Sequence, residues 1–163
     1  MSDTTATTSL DLENDDATRR VGAALGELVA PGDVIGLIGD LGAGKTTLCK
    51  ALIAALGVDE DDVTSPTFVL AREHEGRIPA VHVDCYRMQY AAELTLLDLP
   101  IGGSALALIE WADKVAEALP ADHLSLELDH QDGGRKLTIR AGGPRSEELK
   151  RGLLTRLHSS QGA

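Results

Sequence analysis

Gly39-Asp40-Leu41-Gly42-Ala43-Gly44-Lys45-Thr46-Thr47 fits the phosphate-binding pattern G-x-x-x-x-G-K-[ST] without a mismatch. The glycines let the backbone bend tightly and turn its N–H groups toward phosphate oxygens. Lys45 can place an ammonium on the β- and γ-phosphates, and the Thr46 hydroxyl can ligate Mg²⁺. Thr47 follows in the first helical turn, where free N–H groups and the helix dipole attract an anion. The whole run Asp40, Leu41, Gly42, Ala43, Gly44, Lys45, Thr46 and Thr47 is therefore the candidate nucleotide cradle. Its flanks agree. Val34-Ile35-Gly36-Leu37-Ile38 before it reads as a buried parallel strand. Thr46 to Leu56 after it has helical spacing of apolar residues and stops at Gly57.

The chain has 163 residues, one domain's worth, and 43% of them are hydrophobic, enough for a core and too many for a disordered chain. Aromatics are only 2%, so that core must be Leu, Val, Ile and Ala. The formal net charge of −11 argues against sequence-independent nucleic-acid binding through a basic face, but allows a protein partner with a basic patch. No apolar run reaches the length of a membrane span. Met1 to Thr8 lacks the basic and apolar regions of a signal peptide, and the two cysteines, Cys49 and Cys85, have no metal-like spacing and read as reduced thiols. These features point to the cytoplasm.

Outward from the loop, residues 1–8 read as a disordered tail, residues 9–141 as the nucleotide-binding domain, and residues 142–163 as a C-terminal helix with a frayed end. Ser9 to Leu12 starts an edge strand, and Asn14 or Asp15 caps a helix carrying Val21, Leu25 and Leu28. Val63 to Leu70 is a loop entering a strand, and Val81 to Tyr86 alternates as its hairpin partner around Gly76. Tyr90 to Leu97 is helical. Ala105 to Ile109 is fully apolar and reads as a central strand, followed by a short helix from Ala112 to Leu119. Leu124 to Leu128 and Lys136 to Arg140 alternate on either side of Asp132-Gly133-Gly134, a second hairpin. The class is α/β: a mixed, mostly parallel central sheet with antiparallel hairpins and helices on both faces.

A phosphate loop of this kind needs a second acid for Mg²⁺, usually at the end of a buried strand. Glu110 ends the most apolar strand and Asp84 a shorter one, both where ligands of open α/β sheets bind. Thr64-Ser65-Pro66-Thr67, hydroxyl-rich, reads equally as a nucleotide switch or as an ordinary Ser-Pro turn. The five histidines are scattered without ligand spacing and read as structural or exposed. Trp111 reads as packing close to the nucleotide. The absence of Asn-Lys-x-Asp and of Asp-x-x-Gly after the loop removes a Ras-type GTPase. A small-molecule kinase stays open, because Arg72, Arg77 and Arg87 neither form nor exclude a phosphate-clamping lid.

The loop, together with Ser65-Pro66-Thr67-Phe68, His82-Val83-Asp84-Cys85-Tyr86-Arg87 and Ile109-Glu110-Trp111, resembles the TsaE (YjeE) family of bacterial ATPases in the synthesis of tRNA threonylcarbamoyladenosine. All four motifs agree in order and spacing, and the likeness runs from about Leu12 to Arg135. The resemblance implies a mixed seven-strand sheet that binds ATP and Mg²⁺ and works with TsaB and TsaD. It implies hydrolysis needed for turnover of that complex and not for transfer of the threonylcarbamoyl group to adenosine-37. No arginine finger is evident in the sequence, so hydrolysis is expected to be slow alone and faster in the complex. By position it gives Lys45 the phosphates, Thr46 and Glu110 the Mg²⁺, Thr47 the α-phosphate, and Asp84 the part of a Walker-B-like acid near the metal. Ser65 and Thr67 become the switch, with Thr67 beside Lys45, Asp84 and Glu110 in the catalytic set. Asn14, where the family has Asp, and Arg135 fall near the nucleotide. Residues 142–163 lie outside the resemblance.

Overall fold

A strand of five apolar residues, Val34–Ile38 (β2), anchors the chain, and four of its five positions are buried. Both of its faces are covered, which is why it reads as a continuous apolar run and not as an alternation. The structure, a computed structural model, describes residues 7–40, 42–59 and 70–161. Leu41 and the stretch from 60 to 69, with Ser65 and Thr67, lie outside the described residues, as do residues 1–6 of the expected tail.

The other strands are β1 (Thr8–Leu12), β3 (Ala71–Glu75), β4 (Pro79–Asp84), β5 (Leu106–Glu110), β6 (Leu124–Gln131) and β7 (Gly134–Ala141). They form one sheet in the order β1-β7-β6-β2-β5-β4-β3. The centre is parallel: β2 lies between β5 and β6, and β4 runs parallel to β5. The two hairpins, β3–β4 and β6–β7, supply the antiparallel pairs, and β1 closes one edge against β7. Only β3 and β7 run against the common direction, so the mixed, mostly parallel sheet expected from the sequence is the one observed.

Helices α1 (Asp15–Leu28), α2 (Lys45–Ala55) and α4 (Pro144–Gln161) cover one face, and α3 (Ala91–Leu96) lies on the other with a 3-10 segment, Ala112–Ala118. The first layer packs Val21, Leu25, Leu48, Leu52, Leu149 and Leu153 onto Ile35, Leu37, Leu108 and Leu126. The second packs Leu94, Val115 and Leu119 onto Val34, Val83, Ala107 and Ile109. The expected helix from Ala112 to Leu119 is therefore a 3-10 stretch, kinked at Val115. Its buried residues Ala112 and Val115 are three apart, the 3-10 period, so a tighter turn sets both on the sheet.

Helix α1 lies unusually close to α2. A Cβ on Gly22 would stand 2.4 Å from the Leu48 carbonyl oxygen, and one on Gly26 would stand 2.7 Å from that of Leu52. Two glycines four apart on one helix face remove those side chains, and so let the backbones meet. This contact fixes the axis of α2, and with it the position of the Lys45 and Thr46 side chains at the helix start.

Candidate functional site

The loop delivers its last residues straight into α2. Gly44, with φ of 107°, occupies the N-cap position in a left-handed conformation that a side chain would resist, and no capping side chain claims the first N–H groups of the helix. Those donors and the helix dipole face the cleft. Lys45 is 4% exposed, and its Nζ donates to the carbonyls of Gly39 (2.5 Å) and Asp40 (2.9 Å). The same ammonium lies 4.2 Å from the centroid of the Trp111 ring, a cation–π distance. Burial lowers the Lys45 pKa, and the carboxylates of Glu110 and Asp84 oppose that shift by favouring the charged form.

The second acid comes from the sheet. β5 pairs with β2 and β4 so that Glu110 stands opposite Leu37 on one side and Asp84 on the other. In parallel strands, residues of matching register share a face, so Asp84 and Glu110 both belong to the α2 side. Glu110 is 2% exposed, and its Oε1 accepts from the Thr46 hydroxyl at 2.9 Å. Its Oε2 lies 2.6 Å from His82 Nε2. Asp84 is half-buried, and its Oδ1 accepts the Tyr86 N–H at 2.9 Å.

Further residues converge from the hairpin and from the loops after β4 and β5. Arg135 donates to the backbone carbonyls of Ala43 (3.2 Å, through Nε) and Gly42 (3.1 Å), which ties the phosphate loop to the β6–β7 hairpin. Trp111 has φ of 60° and ψ of 41°, a conformation rare for a side chain of this bulk, and it stacks at a tilt on Tyr86 with centroids 4.9 Å apart. The resulting cleft, about 330 Å³, is lined by Gly42, Gly44, Lys45, Thr46, Thr47, Asp84, Glu110 and Arg135. Asp15, Tyr86, Arg87 and Trp111 complete the lining. A larger, mostly apolar groove of about 420 Å³ lies elsewhere, between β1, α1 and α4, and holds none of these groups.

Most of the residues singled out from the sequence thus meet at one cleft, with three exceptions among the described residues. The Asn14 side chain accepts the Ala17 N–H at 2.9 Å as the cap of α1, and its neighbour Asp15 faces the cleft in its place. Asp40 and Ala43 do not line the cleft, though the Asp40 carbonyl holds Lys45 and the Ala43 carbonyl holds Arg135. Sequence reasoning missed His82. It is fully buried and belongs to the site. The signal lay in the strand alternation, since His82 and Asp84 are two apart and share a face. Cys49, on α2, comes within 4.8 Å of His82 and Glu110. Burial and the nearby Glu110 carboxylate push its thiol pKa well up, and burial raises that of Cys85 to about 12, so both free cysteines stay protonated. The arginine lid finds no support from Arg77, whose guanidinium bonds the carbonyls of Gly26 and Val29 at the end of α1.

Residues 12–137 match the family model of the threonylcarbamoyl adenosine biosynthesis protein TsaE. The chain is 38% identical over 138 residues to the tRNA threonylcarbamoyladenosine biosynthesis protein TsaE of Bacillus subtilis, a match that covers 83% of this chain and 87% of the relative. It is 43% identical over 123 residues to the protein of the same name from Mycobacterium tuberculosis, covering 69% and 73%. The crystal structure of Bacillus subtilis YdiB superposes with a TM-score of 0.77 at 31% identity, over 95% of this chain and 99% of that one. With the motifs, the sheet order and the relatives in agreement, the chain belongs to the TsaE family.

Proposed function

We propose that this protein is a Mg²⁺-dependent ATPase of tRNA N6-threonylcarbamoyladenosine synthesis, acting in the cytoplasm with TsaB and TsaD so that their complex can turn over. The observation that carries the reading is the 2.9 Å contact between Thr46 Oγ1 and Glu110 Oε1 beside the buried Lys45. A hydroxyl and a carboxylate oxygen converge next to a phosphate loop, a donor set that suits a small, hard cation.

In this reading ATP lies in the cleft with its β- and γ-phosphates on the N–H groups of the loop and of the first turn of α2. Lys45 moves from the carbonyls of Gly39 and Asp40 onto the phosphates, and Thr47 meets the α-phosphate. Thr46 and Glu110 would hold the Mg²⁺, with Asp84 near it; the ion supplies neutralisation of phosphate charge. Asp84 orients water or the switch segment containing Ser65 and Thr67. Arg135 steadies the loop through its carbonyls, and Trp111 and Tyr86 close the side of the cleft. Two arginines line the cleft, and Arg135 is engaged with the loop carbonyls. In this reading hydrolysis is slow alone and faster in the complex. The acidic balance suits docking on proteins and leaves tRNA contact indirect. Among the described residues no helix is long and apolar enough to cross a membrane.

Two measurements test this. Adenine is expected over guanine, so in a competition titration ATP should displace labelled ADP and GTP should compete poorly; equal displacement counts against the nucleotide assignment. Time-resolved product analysis should then find only free phosphate, released faster when TsaB and TsaD are added. A phosphorylated acceptor metabolite would replace the reading with a small-molecule kinase, and bound ATP that stays intact would replace it with a nucleotide-gated binding module.

A further inference from the structure

His82 is a fully buried ionisable side chain within hydrogen-bond distance of Glu110, and the proposed reaction gives it no part. Its ring sits on β4 at zero exposure, with Nε2 2.6 Å from Glu110 Oε2. Nδ1 has no hydrogen-bond partner among the described residues. The proton must therefore be on Nε2, because a carboxylate only accepts, and a bare Nδ1 lone pair is the less costly atom to leave unpaired. Cys49 sits close to both groups, but 2.6 Å is a hydrogen-bond length, whereas two donors sharing a zinc ion stand about 3.3 Å apart. The pair is a donor and an acceptor.

We propose that His82 is a positioning residue: its Nε2–H pins Glu110 Oε2 and so directs Oε1 onto the Thr46 hydroxyl, where a nucleotide-bound cation would be received. Glu110 has three rotatable side-chain bonds, and with both oxygens held its rotamer is set before nucleotide arrives. The strand register makes this possible. Asp84 stands directly opposite Glu110, and His82 lies one step back on the same face of the neighbouring strand. The proposal rests on the Mg²⁺–ATP reading above.

The test is calorimetric titration of a non-hydrolysable ATP analogue across a Mg²⁺ series, with wild type, His82→Leu, His82→Gln and Glu110→Ala, and circular dichroism to check folding. His82→Leu should raise the Mg²⁺ midpoint about tenfold while leaving Mg²⁺-free nucleotide affinity unchanged, and His82→Gln, which keeps a donor near the Nε2 position, should recover to within about threefold of wild type. An unchanged midpoint in His82→Leu overturns the proposal, and so does an equal loss with and without Mg²⁺, which marks a merely structural role. If His82→Leu does not fold, His82→Asn takes its place against His82→Gln, being polar but too short to reach Glu110. Glu110→Ala separates the two levels. If it too leaves the Mg²⁺ midpoint unchanged, the cation reading of the site fails; if it alone shifts the midpoint, only the role of His82 fails.

Discussion

Replacing Lys45 with alanine is expected to abolish ATP hydrolysis by the purified protein. Lys45 is the cation that the proposed reading sets on the phosphates, and it is almost fully buried where it lines the cleft. Burial and carboxylate neighbours act on it in opposite senses, and a phosphate chain would add to the side of the carboxylates, favouring the charged form. Loss of one fixed, water-excluded charge at a phosphoryl centre costs on the order of 10²–10³-fold in rate, and Lys45 is expected at the upper end or beyond. The substitution also leaves the Gly39 and Asp40 carbonyls without their ammonium donor, so thermal unfolding should be measured beside phosphate release. A folded Lys45→Ala protein that hydrolyses ATP at the wild-type rate would remove the ATPase reading altogether.

The two acids should fail in different ways. Glu110 touches Thr46, the residue expected to meet the cation, whereas Asp84 accepts the Tyr86 N–H at the start of the loop after β4. Glu110→Ala should therefore weaken the Mg²⁺ dependence of ATP binding. A charge-assisted contact is worth roughly 1.5–3 kcal/mol, which corresponds to a loss of about tenfold or more. Asp84→Ala should spare binding and lower turnover once TsaB and TsaD are present. Calorimetry with ATP at fixed Mg²⁺, followed by phosphate release in the assembled complex, checks both. If Glu110→Ala binds like wild type and Asp84→Ala loses affinity, the two acids have been assigned the wrong way round. Because Glu110 also bonds His82, a Glu110→Gln variant should accompany the alanine. It keeps the volume and removes the charge, so it isolates the electrostatic part.

The elements that announced themselves in the sequence were those whose physics is local. The Gly-rich loop, the apolar runs of β2 and β5, and the alternating β6–β7 hairpin each carry their own signature and stand where expected. What stayed illegible depends on partners far along the chain. The histidines looked scattered because His82 and Glu110 meet only through the β4–β5 register. Asn14 offered two uses for one side chain, and the start of α1 engages it as a cap. The segment after Trp111 has helical composition, yet the demand to seat Ala112 and Val115 on the sheet tightened it to a 3-10 turn. Arg135 could be placed near the nucleotide by resemblance, but its grip on loop carbonyls needs the hairpin and the loop in three dimensions.

The likeness to the family model stops at residue 137, before α4 begins. The hydrophobic interior does not stop there. Leu149 and Leu153 are buried in the same layer as the α2 residues behind the phosphate loop, and Arg145 grips both oxygens of the buried Asp33 at 2.9 and 2.8 Å, just ahead of β2. Asp122 receives the first turn of the helix through the Arg145 and Ser146 N–H groups. The family model and the hydrophobic interior therefore have different borders in this molecule. A piece cut to the family match would keep every residue of the cleft and still lose the wall that backs α1, and Asp33 would lose the guanidinium that grips it. The last helix belongs to the layer that backs the cleft, although it lies outside the residues that the family model matches.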